Sequence, residues 1–175
     1  MGSQFAEFQP NVEQLGTAKD YVNELVEAVH NGELLQGFTR QETVLLSEYF
    51  QCFGVPRGSV VVREGDEGDF LAILINGAAM VTKLHGTVQK EVAAIKPGDI
   101  IGEMSLIDGK KRFASCITTV PSDFGVLTID SFNAMLGDHP RLSNKLMLRL
   151  LQMTTARLRY ATTRMLPGLS DVRYS

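Results

Sequence analysis

The chain has 175 residues, 44 % of them hydrophobic and 21 % charged, with a formal net charge of −3. That composition describes a folded domain with a sizeable core. It excludes a disordered chain, a disulfide-framed mini-protein (there are only 2 cysteines) and a chain drawn to nucleic acid by its overall charge. No apolar run reaches the roughly 20 residues that span a bilayer, and the start MGSQFAEFQP has neither the basic nor the apolar region of a secretion signal. A cytoplasmic protein with Cys52 and Cys116 as buried free thiols is expected.

Residues 1–37 read as an N-terminal helical extension. Thr17 followed by Asp20 is a capping-type start, Tyr21, Leu25 and Val29 repeat at helical spacing, and Asp20, Glu24 and Glu27 form an acidic face. The run GFTRQETVLLSEYF predicts a second helix, entered through a Thr39/Glu42 capping box. From Val55 onward Gly and Pro become punctuation: Pro56-Arg57-Gly58, Glu64-Gly65-Asp66, Gly68, Asn76-Gly77, His85-Gly86, Pro97-Gly98-Asp99. Between them lie the short apolar runs SVVV, FLAILI, AAMVTKL, EVAAI, DII, ASCIT and DFGVLTI. Short strands between closely spaced turns predict an antiparallel sandwich or barrel, with Asn76-Gly77 as a hairpin turn.

From Ile129 the helical period returns. DSFNAML is a short helix capped by Asp130 or Ser131, and Pro140 stands in the first turn of a long final helix, near Arg141 to Leu166, which Pro167-Gly168 ends. That helix carries two apolar stripes. One is Leu142, Leu146, Leu150 and Met153; the other is a coiled-coil-like seam of Met147, Leu151, Thr154, Leu158, Ala161 and Met165. One stripe can dock on the body of the domain, and the second points to a homodimer formed through this helix. The helix is also basic, with Arg141, Lys145, Arg149, Arg157, Arg159 and Arg164, and the acidic N-terminal face is its expected counterpart.

Catalytic constellations are missing. His30, His85 and His139 lie in separate segments, away from any other His or Cys at ligand spacing, which argues against a metal-binding cupin. Neither a nucleophile elbow nor a P-loop appears, so an enzyme is not expected. The stretch IIGEMSLIDGKKRFASCIT (100–118) points to binding instead. Gly102 at a strand end permits close backbone approach. Glu103 opens one helical turn whose first amides, Met104 and Ser105 among them, face outward to an anion. Arg112, before a strand of small residues, offers a planar fork of donors to a phosphate. Glu103 can accept from a ribose hydroxyl, and one Arg with backbone amides suits a singly charged phosphodiester. The alternative for these residue types is a Glu103–Arg112 salt bridge at a barrel edge.

The same stretch resembles the phosphate-binding cassette of cyclic nucleotide-binding domains, the family of the catabolite activator protein, protein kinase A regulatory subunits and cyclic-nucleotide-gated channels. The match is Gly102-Glu103, a helical turn and a loop, then Arg112-Phe113-Ala114-Ser115, preceded by REGDEGDFLAILINGAAMV and KPGDIIGE. It covers roughly Phe38 to Met165. Two positions depart: Lys111 stands where Pro is usual, and Phe113 where Ser, Ala or Thr is usual.

The resemblance implies a mainly β fold with flanking helices: an eight-stranded, double-stranded β-helix or jelly-roll barrel over 38–166 that includes a long C-terminal helix, then a short tail, 167–175. It implies that Arg112 and the amides of Phe113 and Ala114 hold a cyclic phosphate. Glu103 and the Gly102 amide would hold the ribose 2′-hydroxyl. Val81, Val92 and Ile101 would face the base from the interior, and Ala161, Thr162 and Thr163 are cap candidates on the final helix. The ligand would be cyclic AMP (cAMP), with cyclic GMP (cGMP) the alternative, and no other cofactor. Only nine residues or so follow the long helix, too few for a helix-turn-helix, so a stand-alone sensor without a DNA-binding domain or membrane segment is expected, signalling to an unknown downstream protein. A degenerate domain that serves as a dimerisation or interaction module is the rival.

Overall fold

The computed structural model describes residues 13–17 and 32–165. Among them are nine strands: β1 (Glu13–Thr17), β2 (Gln51–Val55), β3 (Val60–Val62), β4 (Phe70–Asn76), β5 (Ala79–His85), β6 (Val88–Ile95), β7 (Ile100–Ile101), β8 (Ser115–Thr118) and β9 (Ser122–Thr128). Four helices accompany them: α1 (Arg40–Ser47), α2 (Glu103–Asp108), α3 (Ile129–Asp138) and α4 (Pro140–Met165). The strands form two antiparallel sheets, a five-stranded one in the order β1-β2-β9-β4-β7 and a four-stranded one in the order β3-β8-β5-β6. This is a two-sheet jelly roll with a long C-terminal helix, one strand richer than the eight expected.

Strand β4 explains the layering. Its sequence FLAILIN is buried from end to end, up to Asn76. Phe70, Ala72 and Leu74 face the core between the sheets, with Phe53, Val62, Ile101, Cys116 and Phe124. Leu71, Ile73 and Ile75 face the other way, into a second core with Phe132, Met135, Leu142, Leu146, Leu150 and Met153 of the helices. A strand covered on both faces reads as a continuous apolar run because both sets of alternating side chains are buried. Burial of Leu146 or Leu150 contributes about 1.5–3 kcal/mol each, enough to fix the first half of α4 to the domain.

All seven predicted strand runs are strands. Two others were not predicted: β1 lies in the segment read as a helical extension, and β2 follows directly on the second predicted helix, where no element was expected. Thr17 closes β1, and the rest of the helix predicted over 17–30, with its acidic face, lies outside the described residues, as do Pro167-Gly168 and the side chain of Met165. The Thr39/Glu42 capping box is present: the Glu42 amide donates to Thr39 Oγ1 at 3.2 Å, and the Thr39 amide donates to Glu42 Oε2 at 2.7 Å. Helix α3 is capped by Thr128, whose Oγ1 accepts from the Ser131 amide at 3.1 Å, two residues before the expected Asp130 and three before Ser131. The Asn76-Gly77 turn is not a hairpin. It carries the chain from β4 in one sheet to β5 in the other, and Gly77 is needed because its φ is 96° and a Cβ there would strike Ser122. The true hairpin is β5–β6, closed by His85 opposite Val88. Both cysteines are buried thiols outside any disulfide among the described residues, and burial pushes the Cys116 thiol up to about 12, so it stays protonated.

Candidate functional site

Strand β7 ends at Gly102, which turns the chain into α2 with a φ of 78°. Two facts make that position glycine: the left-handed backbone, and the Arg112 Nη1 that a Cβ would strike. Arg112 arrives from the other side of the cassette. Its amide donates to the Asp66 carbonyl at 2.8 Å, and its carbonyl accepts from the Gly65 amide at 3.0 Å, so Glu64-Gly65-Asp66 holds its backbone. Its side chain lies in a slot. Nη1 donates to the carbonyls of Phe70 at 2.8 Å and Gly102 at 2.9 Å. The guanidinium carbon sits 4.2 Å from the centre of the Phe70 ring. On the third side, a Cβ on Gly68 would come within 2.6 Å of Arg112 Nε.

The electrostatics of this slot are unusual for a packing residue. Arg112 is only 4 % exposed, yet it makes no ion pair, and its Nη2 is buried without a hydrogen-bond partner among the described residues. Among the described residues, Asp69 Oδ1 is the other buried side-chain atom left without one. Burial lowers the Arg112 pKa, and the carboxylates of Asp69, Glu103 and Asp66 act against that shift. A buried charged donor without an acceptor is costly, and buried polar groups in native proteins are nearly always satisfied.

Glu103, also 4 % exposed, does not pair with Arg112. Its Oε1 accepts from Arg157 of α4, so the alternative of a Glu103–Arg112 salt bridge is ruled out in this structure. Ser105 is buried on the same turn, while Met104 is exposed. Phe113 stands 59 % exposed beside the buried Arg112, and Ala114 is half-buried. Thus Gly102, Glu103, Met104, Ser105, Arg112, Phe113 and Ala114 come together in one place. Ile101 lies in the core between the sheets with Val81 packed against it. Val92 lies apart, 59 % exposed on β6, where Val81 pairs with Ala93 and Thr82 with Glu91, so that Val92 is the extra residue of a bulge rather than an interior one.

Ala161, Thr162 and Thr163 are exposed, and the two hydroxyls donate to the Leu158 and Arg159 carbonyls of their own helix. The helix residue that reaches the cassette is Arg157, which the sequence shows only as one member of a basic run. Gly68, Asp69 and Phe70 also belong to the site. Their signal was the EGDEGDF run, legible as a turn but not as one wall of an arginine slot. Among the described residues no three His, Cys, Asp or Glu side chains gather as a metal site, and no helix is long and apolar enough to cross a membrane.

The fold is thus a two-sheet jelly roll that brings a buried Arg and a buried Glu to one short helix. Residues 52–139 match the family described as the cyclic nucleotide-binding domain, and the chain belongs to that family. It is 29 % identical over 114 residues to the cyclic AMP receptor protein of Thermus thermophilus, covering 65 % of this chain and 53 % of the relative. It is 32 % identical over 104 residues to the cAMP-dependent protein kinase regulatory subunit of Aspergillus niger, covering 59 % of this chain and 25 % of that one. The chain therefore spans about half the length, or less, of the curated relatives it matches. Among solved structures, a cyclic nucleotide-binding domain from Methylobacillus flagellatus superposes with a TM-score of 0.83 at 38 % identity, covering 96 % of this chain and 97 % of that one. The Thermus thermophilus catabolite activator protein superposes with a TM-score of 0.72 at 28 % identity, covering 79 % and 63 %.

Proposed function

We propose that the protein is a sensor of cyclic AMP whose nucleotide-binding unit, residues 38–166, signals through α4 to a partner protein. The observation that carries this reading is the buried Arg112 guanidinium with an unsatisfied Nη2. A phosphodiester supplies the acceptor that the protein does not, and its single negative charge matches one guanidinium. The amides of Phe113 and Ala114 complete the phosphate subsite, and those of Met104 and Ser105 flank it. Glu103 and the Gly102 amide take the ribose 2′-hydroxyl. A carboxylate has acceptor capacity beyond one ion pair, so Glu103 can serve the sugar while Arg157 remains on Oε1. Val81 and Ile101 offer the base an apolar wall.

Signalling follows from how α4 is held. Through Met153 its inner stripe is buried, and Lys145 and Arg149 tie it to Glu42 and to the Glu33 and Leu34 carbonyls. Residues 155–164 are exposed, and in this part Arg157 joins Glu103. A ligand that engages Glu103 changes the strength of that tie, and so shifts the population of helix positions by its differential affinity for them. A homodimer through the outer seam of α4 fits the same picture. Exposed Leu151 and Leu158 on that seam also favour the second reading, an interaction module that binds no nucleotide.

Calorimetric titration of the full chain with cAMP, cGMP and 5′-AMP separates the two. Saturable binding of cAMP with no heat from 5′-AMP is expected. Flat isotherms for both cyclic nucleotides would leave the interaction module as the function.

A further inference from the structure

A second ionic cluster adjoins the cassette without being part of the Arg112 slot. Lys83 lies on β5, two residues beyond Val81 and therefore on the same face of the strand. Its ammonium is engaged on three sides. It donates to Glu64 Oε1 at 2.7 Å and to the Phe113 carbonyl, and it sits 4.1 Å from the centre of the Phe113 ring. Glu64 is used in full as well: Oε2 accepts from the Leu84 amide at 2.9 Å, and its own amide donates to Ser115 Oγ at 2.9 Å. The cluster thus ties the end of β3, the middle of β5 and the approach to β8, three neighbouring strands of the four-stranded sheet.

Its target is the backbone between Arg112 and Ser115. Arg112 is held from one side by Asp66 and Gly65, and the regular β5–β8 pairing begins only at Thr82–Ser115. Phe113 and Ala114 lie between these two anchors, and their amides are the ones the phosphate subsite needs. Carbonyl and amide belong to one rigid peptide plane, so a hydrogen bond to the Phe113 carbonyl orients the Ala114 amide directly. We propose that Lys83 is a positioning residue for the phosphate subsite: clamped by Glu64, it fixes the Phe113–Ala114 peptide so that its N–H points at a phosphate oxygen. The role rests on the nucleotide reading above. Because Glu64 neutralises the ammonium locally, Lys83 acts through geometry rather than by adding attraction for the anion.

The test uses the full chain, its Lys83→Met and Lys83→Arg variants, and three probes: cAMP and its Sp and Rp phosphorothioate diastereomers. The two diastereomers exchange the oxygens that fixed amides distinguish. The intact protein is expected to prefer one diastereomer. Lys83→Met should lose about tenfold to a hundredfold in cAMP affinity, the scale of a misplaced contact, and the diastereomer preference should shrink toward unity with the melting temperature little changed. Lys83→Arg, which keeps both the ion pair and the ring contact, should restore most of each. Unchanged affinity and preference in Lys83→Met overturn the proposal. So does an equal loss for all three probes, which marks a purely structural residue. If Lys83→Met does not fold, Glu64→Gln, which keeps the side-chain shape while removing the ion pair, should show the same narrowing of preference, and an unchanged preference there counts against the proposal. Absence of binding by the intact protein overturns the nucleotide reading itself and this role with it.

Discussion

Arg157, in the exposed half of α4, is ion-paired with Glu103, buried at the first position of α2 and 54 residues away in sequence. The Glu103 side chain is 5 % exposed and that of Arg157 51 %. The pair is therefore a contact between a fixed, buried acceptor and a donor that can leave. Removing the donor should leave the cassette assembled while cutting its link to the helix. We expect Arg157→Ala to bind cAMP within about tenfold of the intact protein, the size of one partly exposed charged contact. The protection from hydrogen exchange that ligand confers on residues 154–165 should be lost. Protection that persists in Arg157→Ala would assign the coupling to another contact.

Arg112 and Gly68 should act as a unit. Arg112→Ala is expected to abolish cyclic-nucleotide binding without unfolding the chain, because a lost charge-assisted contact to a desolvated anion costs about 2–5 kcal/mol, several decades in affinity. Gly68→Ala leaves every charge in place but puts a Cβ at 2.6 Å from Arg112 Nε and from Ser105 Cβ. The guanidinium must move, at about 1–3 kcal/mol for overpacking. Titration of Gly68→Ala should show weakened binding in a folded protein; intact affinity would mean that the slot does not set the position of the guanidinium.

Adenine should be preferred over guanine. Val81 and Ile101 offer no hydrogen bond, and Phe113, beside the guanidinium, carries a phenyl ring instead of a hydroxyl. A guanine amino or carbonyl group left unpaired on an apolar wall costs ~1–3 kcal/mol. Competition should place cAMP roughly tenfold to a hundredfold tighter than cGMP, and the reverse order would locate a polar base contact elsewhere, with Thr162 the first residue to test.

Much of this architecture was legible before any coordinates, and the parts that were not share a cause. Runs such as FLAILI and DFGVLTI announce strands because both of their faces are buried, and Thr39/Glu42 announces a helix start through purely local chemistry. The cassette is local too: Gly102, Glu103 and Arg112 lie within one short stretch, whose residue types alone left a salt bridge open and whose resemblance to the family's cassette pointed to a ligand. The arginine slot is not local. Gly68 and Phe70 meet Arg112 only because β4 lies beside β7, and nothing at position 68 distinguishes a turn glycine from one that leaves room for a guanidinium. The tie to Arg157 is hidden for the same reason, since a basic helix face does not reveal which of its charges meets a carboxylate. Asn76-Gly77 misled because a tight turn fixes the local backbone but not the sheet in which the next strand pairs.

The pair Glu42–Lys145 joins α1 to α4, with Lys145 Nζ 2.7 Å from Glu42 Oε2 and 4.7 Å from the centre of the Phe38 ring. The Lys145 hydrogen bond, followed by the one from the Thr39 amide, holds the Glu42 carboxyl below its ordinary pKa. A carboxyl lowered in the folded state adds stability above its unfolded pKa and loses it as pH falls through the lowered value. The melting temperature should therefore fall below pH of about 4.3, the ordinary glutamate value, and fall less steeply in Glu42→Gln. Parallel curves for the two proteins would show that the pair contributes nothing to the anchoring of α4.

The outer seam of α4 makes the last prediction. Met147, Leu151 and Leu158 are 42 %, 49 % and 67 % exposed, and Leu148 beside them is 56 % exposed, while Leu142, Leu146, Leu150 and Met153 are buried against the domain. An apolar stripe along one helix face seldom remains open to water. Thr154 and Ala161 are small enough to let a second helix approach, and burial of each leucine contributes roughly 1.5–3 kcal/mol. Opposing this is the basic character of the helix, but Lys145, Arg149 and Arg157 already have partners within the chain, and an exposed like-charge contact costs only a few tenths of a kcal/mol. The apolar term should win. The full chain is expected to sediment as a dimer, and Leu151→Glu with Leu158→Glu, which place carboxylates on the seam and leave the inner stripe untouched, should give a folded monomer. A full chain that sediments as a monomer at tens of micromolar would overturn the dimer.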